Sequence, residues 1–181
     1  MDQTLVIELI ERSRKNDTRA FRQLVEAHQG MIYSVAFRML CDENEAKDVV
    51  QDTFIKLWMN LSQFNADKKL STWLYSIATN LCLDQLKSSR RKHSLNIPVD
   101  ELLDYCNGND FEEDFLGKET ARVILTLTNE LTPKQKLVFT LRYLEEMEVT
   151  EIVEITGLSA GKIKSNLYLA RQTIVKKLEN Y

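Results

Sequence analysis

The stretch TPKQKLVFTLRYLEEMEVTEIVEITGLSAGKIKSNLYLARQTIVKKLE, residues 132–179, decides the fold of this chain. It opens on Thr132-Pro133-Lys134-Gln135, which supplies a hydroxyl to cap a helix, a proline at the first helical position and a glutamine three residues after the cap. The spacing predicts a helix from Pro133 to about Glu146, then a short helix over Thr150 to Ile155. The turn Thr156-Gly157-Leu158 follows, and Ser159 caps a longer helix that runs to about Glu179. A short helix, a three-residue turn containing glycine and a longer second helix form a helix-turn-helix pattern.

At about 100° per residue, Ile163, Leu167, Ala170, Ile174 and Leu178 fall on one stripe of that second helix and are expected to be buried. Gly161, Lys162, Ser165, Tyr168, Leu169 and Gln172 then face away from the core, with Lys164 and Arg171 on the flank. From Lys162 to Lys177 the helix carries five basic residues and no acidic one, so each phosphate it neutralised would release counterions and make binding salt dependent. The free backbone N–H groups after Ser159 favour an anion, and Gly161 permits a close approach. The plain alternative is a solvated C-terminal helix whose cations complement its own dipole. The glycine-bearing turn in register tips the reading towards DNA.

Working back towards the N-terminus, apolar residues recur at helical spacing. Phe21, Leu24 and Val25 form one group, Ile32, Val35, Ala36 and Met39 a second, and Val49, Val50, Phe54, Leu57, Trp58 and Leu61 a third. Asp42 followed by Glu45 marks a helix start, where acidic groups suit the positive end of the dipole. Leu70, Trp73, Leu74, Ile77, Ala78 and Leu81 stripe a further helix, which runs into Lys87, Arg90, Arg91 and Lys92. Its polar side offers Thr72, Ser76, Thr79, Asn80 and Asp84 beside Trp73 and Tyr75, a mixture suited to holding unstacked bases. The alternative stays open that Trp73 and Leu74 are core and the Lys/Arg run is a helix C-terminus.

Of 181 residues, 24 are basic and 27 acidic, and the charge is uneven. Residues 1–93 hold 14 basic and 12 acidic groups, residues 94–118 hold 1 and 7, and residues 119–181 hold 9 and 8. The acidic middle contains Pro98, Gly108, Gly117 and Asn107-Gly108-Asn109-Asp110, so it reads as a self-repelling linker. Only 5 Gly and 2 Pro in the whole chain argue against an all-β sandwich or barrel, which needs many tight turns. The expected architecture is all-α, with two helical domains over 1–93 and 119–181 joined by the linker 94–118.

The longest uncharged stretch, Leu70 to Leu83, is too short and too polar for the roughly 20 apolar residues a bilayer requires. With no basic segment leading into an apolar core at the N-terminus, the expectation is a cytoplasmic protein. Cys41, Cys82 and Cys106 lack metal spacing and are expected to be reduced and mostly buried. His28 reads as a packing or surface residue and His93 as an extension of the basic cluster. Phosphate-binding loop, GxSxG elbow and paired His are all missing, so neither an enzyme nor a bound metal or cofactor is expected.

Three segments carry a family resemblance: Asp42-Glu43-Asn44-Glu45-Ala46-Lys47-Asp48-Val49-Val50-Gln51-Asp52-Thr53-Phe54-Ile55-Lys56-Leu57-Trp58, then Ser71-Thr72-Trp73-Leu74-Tyr75-Ser76-Ile77-Ala78-Thr79-Asn80 running on to Leu86, and Leu131-Thr132-Pro133 through Ser165. In this order they resemble a bacterial RNA polymerase sigma factor of the extracytoplasmic-function (ECF) type, which keeps sigma regions 2 and 4. The resemblance implies core RNA polymerase, promoter DNA and an anti-sigma factor as partners. It implies that Asp48, Gln51, Asp52, Phe54 and Trp58 dock on the polymerase. It assigns Trp73 and Asn80 to the melted −10 element, with Asn80 capturing a flipped base, and Lys87, Arg90, Arg91 and Lys92 to nearby phosphates. Lys162, Lys164, Ser165, Asn166, Tyr168 and Arg171 then read the −35 element in the major groove.

This chain departs from the usual pattern at Cys41, where glycine is common, in the loop Asn65-Ala66-Asp67-Lys68-Lys69, and at Asn166 and Tyr168, where Arg and His are frequent. Those changes bear on which bases are read. Two other classes fit parts of the sequence: a free-standing helix-turn-helix regulator that binds duplex without polymerase, and a helical scaffold with no nucleic-acid role.

Overall fold

The computed structural model describes residues 1–92, 126–128 and 130–179; the expected linker, His93 and Cys106 lie outside the described residues. The described residues form helices and turns without a strand. In chain order they are α1 (Gln3–Arg14), α2 (Thr18–Leu40), α3 (Glu43–Met59), a 3-10 turn (Leu61–Gln63), α4 (Leu70–Lys92), α5 (Pro133–Phe139) passing into a π turn (Thr140–Leu144), α6 (Val149–Thr156) and α7 (Ala160–Leu178).

Local chemistry sets most of these boundaries. Asp2, Asp17, Asp42 and Ser159 each accept a bond from a backbone N–H of the first turn they precede, satisfying donors that have no partner inside the helix. Thr132 and Gln135 form the reciprocal box that the sequence announces, and Glu148 and Glu151 form a second one before α6. Gly157 ends α6 in the left-handed region at φ 67°, where a Cβ would be strained. Cys41 ends α2 in the same region at φ 61° with a side chain in place, a conformation costing roughly 1 kcal/mol relative to glycine.

The structure departs from the sequence expectations at four places. The two apolar groups from Phe21 to Met39 belong to one helix, α2, because Gly30 is exposed mid-helix and breaks nothing. α1 is an additional helix. Its buried stripe of Val6, Leu9 and Ile10 ends at Ser13, a polar residue that is buried only because its hydroxyl donates to the Leu9 carbonyl at 2.7 Å. The helix from Pro133 leaves α geometry at Phe139 and widens into the π turn, ending with Glu145 N–H bonded to Thr140 O and Glu146 at φ 56°. On α7, Ile163, Leu167 and Ala170 are buried as expected, but Ile174 is half-buried and Leu178 is 52% exposed, so the helix outruns its core.

α2 is the central helix of the N-terminal bundle, packed on α1, α3 and α4. Leu24, Ile32, Val35, Met39, Val49, Leu57 and Leu74 are fully buried there, each contributing about 1.5–3 kcal/mol by leaving water. In the C-terminal unit, Leu137, Leu141, Ile152 and Ile163 do the same between α5, the π turn, α6 and α7. These two cores merge into one hydrophobic cluster, because α5 and α6 lie against α4 and the π turn lies against α2.

Candidate nucleic-acid interface

α7 presents the first surface. Gly161, Lys162, Lys164, Ser165, Leu169, Arg171 and Gln172 are all exposed, and Tyr168 is 61% exposed. Gln172 Nε2 donates to Tyr168 Oη at 2.6 Å, which fixes the phenol over the outer face. The Arg171 guanidinium sits 5.0 Å from the centre of the Tyr143 ring, a cation–π contact that holds it to the flank of the helix. Asn166 is half-buried and its amide donates to Lys162 O at 2.8 Å, so that donor is turned back onto the helix. Of the later cations, Lys177 is engaged by Glu130 and Thr126 O at 2.9 and 2.8 Å. The exposed basic residues of α7 are therefore Lys162, Lys164, Arg171 and Lys176, spread along the helix rather than gathered at one end.

A second surface lies on α4. At about 100° per residue, Trp73, Asn80, Asp84 and Lys87 share one face, and Tyr75 lies on the opposite one. Asn80 is exposed, and Lys87 is exposed and paired with Asp84 at 3.1 Å. Trp73 is half-buried and stacks on Phe64 with ring centres 5.6 Å apart, so it forms part of the core edge while bordering the polar face. Thr79 is buried, its hydroxyl donated to Tyr75 O. Arg90, Arg91 and Lys92 extend this end of α4, and their side chains lie outside the described residues.

The loop preceding α4 is pinned by α1, which sequence reasoning did not connect to it. Arg14 donates to the carbonyls of Leu61 and Phe64 at 2.9 Å each, and Gln3 donates to Lys68 O at 3.2 Å. Asn65 Oδ1 accepts from Asp67 N–H at 2.9 Å, leaving Lys68 and Lys69 exposed. Both anchors are long-range side-chain bonds to carbonyls, which no local pattern signals.

α3 offers a third face of different chemistry. Asp48, Gln51 and Asp52 are exposed and share a stripe with Ile55 and Met59, which are 47% and 73% exposed. Phe54 is buried, and Trp58 is half-buried, edge-on to Phe21 at 4.8 Å. Acidic groups around exposed apolar side chains suit a protein partner rather than DNA. Ile55 and Met59 were not singled out from sequence; asking which apolar residues the helical stripe leaves over would have found them.

Among the described residues no group of His, Cys, Asp and Glu has the arrangement of a metal site. Cys41 and Cys82 are buried free thiols, and burial pushes Cys82 up to about 12. His28 is half-buried, with Nδ1 2.8 Å from Leu24 O, a packing role.

A helix bundle with an exposed acidic and apolar face on α3, followed by a helix-turn-helix whose second helix is basic and free of acidic residues, has the form of a two-part DNA-binding transcription protein. Residues 24–92 match the family described as Sigma-70 region 2, and residues 121–174 match Sigma-70, region 4. The chain is 31% identical over 178 residues to the ECF RNA polymerase sigma factor SigW of Bacillus subtilis, covering 94% of this chain and 95% of that protein. It is 29% identical to the ECF RNA polymerase sigma-E factor of Haemophilus influenzae, covering 94% of each. This chain therefore belongs to the ECF group of sigma-70 family RNA polymerase sigma factors. Its fold is shared with CnrH, solved in complex with the cytosolic domain of CnrY, at a TM-score of 0.69 and 21% identity over 99% of this chain and 97% of that one. RpoE of Bartonella quintana, solved with the anti-sigma factor NepR, gives 0.66 at 21% identity over 88% and 96%.

Proposed function

We propose that this chain joins core RNA polymerase in the cytoplasm and directs it to promoters as a specificity factor, with no catalysis of its own. Residues 1–93 dock on the polymerase and melt the −10 element, residues 119–181 read −35 duplex, and 94–118 connect them. The observation that carries this reading is the ordered pair of region 2 and region 4 folds in one chain, each with its polar reading face exposed.

Asp48, Gln51 and Asp52 meet the polymerase together with Ile55 and Met59, while Phe54 and Trp58 anchor α3 from behind and set its angle. Asn80 receives a flipped base beside Trp73, and Lys87, Arg90, Arg91 and Lys92 take the adjacent phosphates. Lys162, Lys164, Ser165 and Tyr168 enter the major groove, Arg171 lies towards the phosphates, and Asn166 supports the backbone rather than a base. An anti-sigma factor is the expected negative regulator, because the relative RpoE was solved bound to one.

Gel filtration of the chain with bacterial core RNA polymerase, followed by genomic run-off transcription with and without it, tests the reading. Co-elution with new discrete start sites is the expected result. Tight duplex binding with no co-elution would replace it with a free-standing regulator.

A further inference from the structure

We propose that α1 is a positioning element for the −10 reading surface: Arg14 and Gln3 hold the loop 61–69 in one pose beside Trp73 and Asn80, and that pose sets which base is accepted. The last clause rests on the sigma-factor reading above. Residues 65–69 are all exposed, between the buried side chains of Phe64 and Leu70. Within itself the loop is closed by Asp67 N–H to Asn65 Oδ1 at 2.9 Å and Lys68 N–H to Asn65 O at 3.0 Å. Those turn bonds bury no apolar surface to offset the freedom that five residues give up. What fixes the loop comes from α1, 47 to 65 residues back in the chain.

Arg14 spends its whole guanidinium on this. Nε donates to Leu61 O and Nη2 to Phe64 O at 2.9 Å each, with Ser62 O 3.4 Å from the same Nη2, while Nη1 is turned to Glu11. All three nitrogens are engaged, so Arg14 acts on the loop and not on a phosphate. The planar fork matters here, because the single compact head of a lysine does not bridge the carbonyls of residues 61 and 64 in a fixed plane. On the far side of the loop, Gln3 Nε2 donates to Lys68 O at 3.2 Å and lies 3.4 Å from Ala66 O. Val6, Leu9 and Ile10 bury the opposite side of α1 against α2, so both clamps are carried by a packed helix.

The clamp reaches the base site through Phe64. Its carbonyl is held by Arg14, and its ring stacks on Trp73 with centres 5.6 Å apart. Lys69 O accepts from Trp73 N–H at 3.4 Å, so the loop runs directly into the first turn of α4. Trp73 and Asn80 share a face of that helix and stand about 10 Å apart along its axis at roughly 1.5 Å per residue. Lys68 and Lys69, both exposed at the head of α4, add positive charge for the phosphates of a single strand. A shift of the backbone from Phe64 to Lys69 therefore moves one wall of the site and leaves Asn80 on its helix. Discrimination between bases needs that wall placed to within about 0.5 Å, whereas capture of a base by Asn80 does not.

The test compares the full chain as wild type, Arg14→Lys, Arg14→Ala and Gln3→Ala. Brief trypsin digestion reads the loop, since an exposed loop is nicked in proportion to the time it spends open. In the wild type the Lys68 carbonyl, which belongs to the bond trypsin cuts, is held by Gln3. Cutting after Lys68 should be about tenfold faster in either Arg14 variant and severalfold faster in Gln3→Ala, with cutting after Lys56 inside α3 unchanged. The second readout is base preference, from run-off transcription by each holoenzyme on a promoter pool randomised over both elements. The preference for the best base over the worst at the flipped −10 position should fall about tenfold, while the −35 preferences stay as in the wild type. A residue that only holds the fold lowers output from every promoter by one factor, so unchanged preferences with faster nicking would remove the specificity role. Unchanged cutting after Lys68 with Lys56 still protected would remove the clamp. Should Arg14→Ala expose Lys56 as well, Arg14→Lys and Gln3→Ala decide the matter. A wild-type chain that gives no discrete transcripts would instead overturn the sigma-factor reading, with the nicking still deciding whether α1 holds the loop.

Discussion

At Asp17 one carboxylate accepts from the backbone N–H groups of Arg19 and Ala20 at 3.0 and 3.1 Å and from Arg12 at 2.8 Å. The Ala20 bond, followed by the Arg12 bond, holds its carboxyl below the usual range. A folded pKa depressed in this way stabilises the chain above the unfolded value of about 3.9 and stops doing so as pH falls through the folded value. Asp17→Asn keeps a capping oxygen but loses the charge, so its stability deficit in urea should be measurable at pH 7 and shrink steadily below about pH 4. A deficit independent of pH would assign the effect to capping alone. Asn80 makes a second single-residue case: Asn80→Ala should slow open-complex formation, read by permanganate footprinting, and leave polymerase affinity unchanged. Equal opening by both proteins would take the base-capture role from Asn80. Caps such as Asp42, Thr132 and Gly157 are legible in sequence because donor, acceptor and turn lie within four residues. Glu145 is not, because its partners Tyr75 and Arg38 stand 70 and 107 residues away and nothing local marks it as buried.

Elements are legible where their apolar stripe is long. α3, α4 and α7 show in the sequence because the i, i+3, i+4 repeat runs over four or more turns, so that one buried hydroxyl, Thr53 on α3 or Thr79 on α4, does not interrupt it. α1 escapes notice because its stripe is only Val6, Leu9 and Ile10 before Ser13 takes the next buried position, and the π turn escapes because no residue type prefers it. α5 depends on its start: with Pro133–Phe139 only 7 residues long, it cannot sustain itself by propensity. Thr132→Ala should cost about 1 kcal/mol in denaturant unfolding, the usual worth of such a cap. On α7 the exposed cations act as a set. Replacing Lys162, Lys164 and Arg171 by Ala together should weaken holoenzyme binding to a −35 duplex and flatten its log–log salt dependence by up to about 3. Arg171 contributes least to that slope if its stacking on Tyr143 persists on DNA, since it then reaches fewer phosphates. An unchanged slope would mean that this helix does not meet the backbone, and would favour a helical scaffold over a promoter reader.

For the whole molecule, composition and charge blocks reveal two helical parts, but not that they share a core. Tyr143, Met147, Val153 and Leu158 read as ordinary members of a helix-turn-helix, yet they join a cluster that continues through α4 into the bundle. Pairing between domains depends on which half-apolar faces meet, and helical periodicity alone does not encode it. Its consequence is thermodynamic. Two domains with separate cores melt separately, whereas a continuous core couples them into one transition. The Arg38–Glu145 pair sits at the edge of that core, with side chains 39% and 10% exposed. Breaking a buried pair costs roughly 3–5 kcal/mol, and the solvent around Arg38 brings this down to about 2 kcal/mol. That is a large share of an interface between small domains, which resembles a transient complex rather than a permanent one. Calorimetry of the wild-type chain should therefore show a single transition whose calorimetric and van't Hoff enthalpies agree. Glu145→Arg should split it, the C-terminal unit melting first because α5 and α6 are 7 and 8 residues long and lean on α4 for burial. A split trace in the wild type would mean that the shared core contributes too little to couple the parts, and the chain would then be open without any help from polymerase.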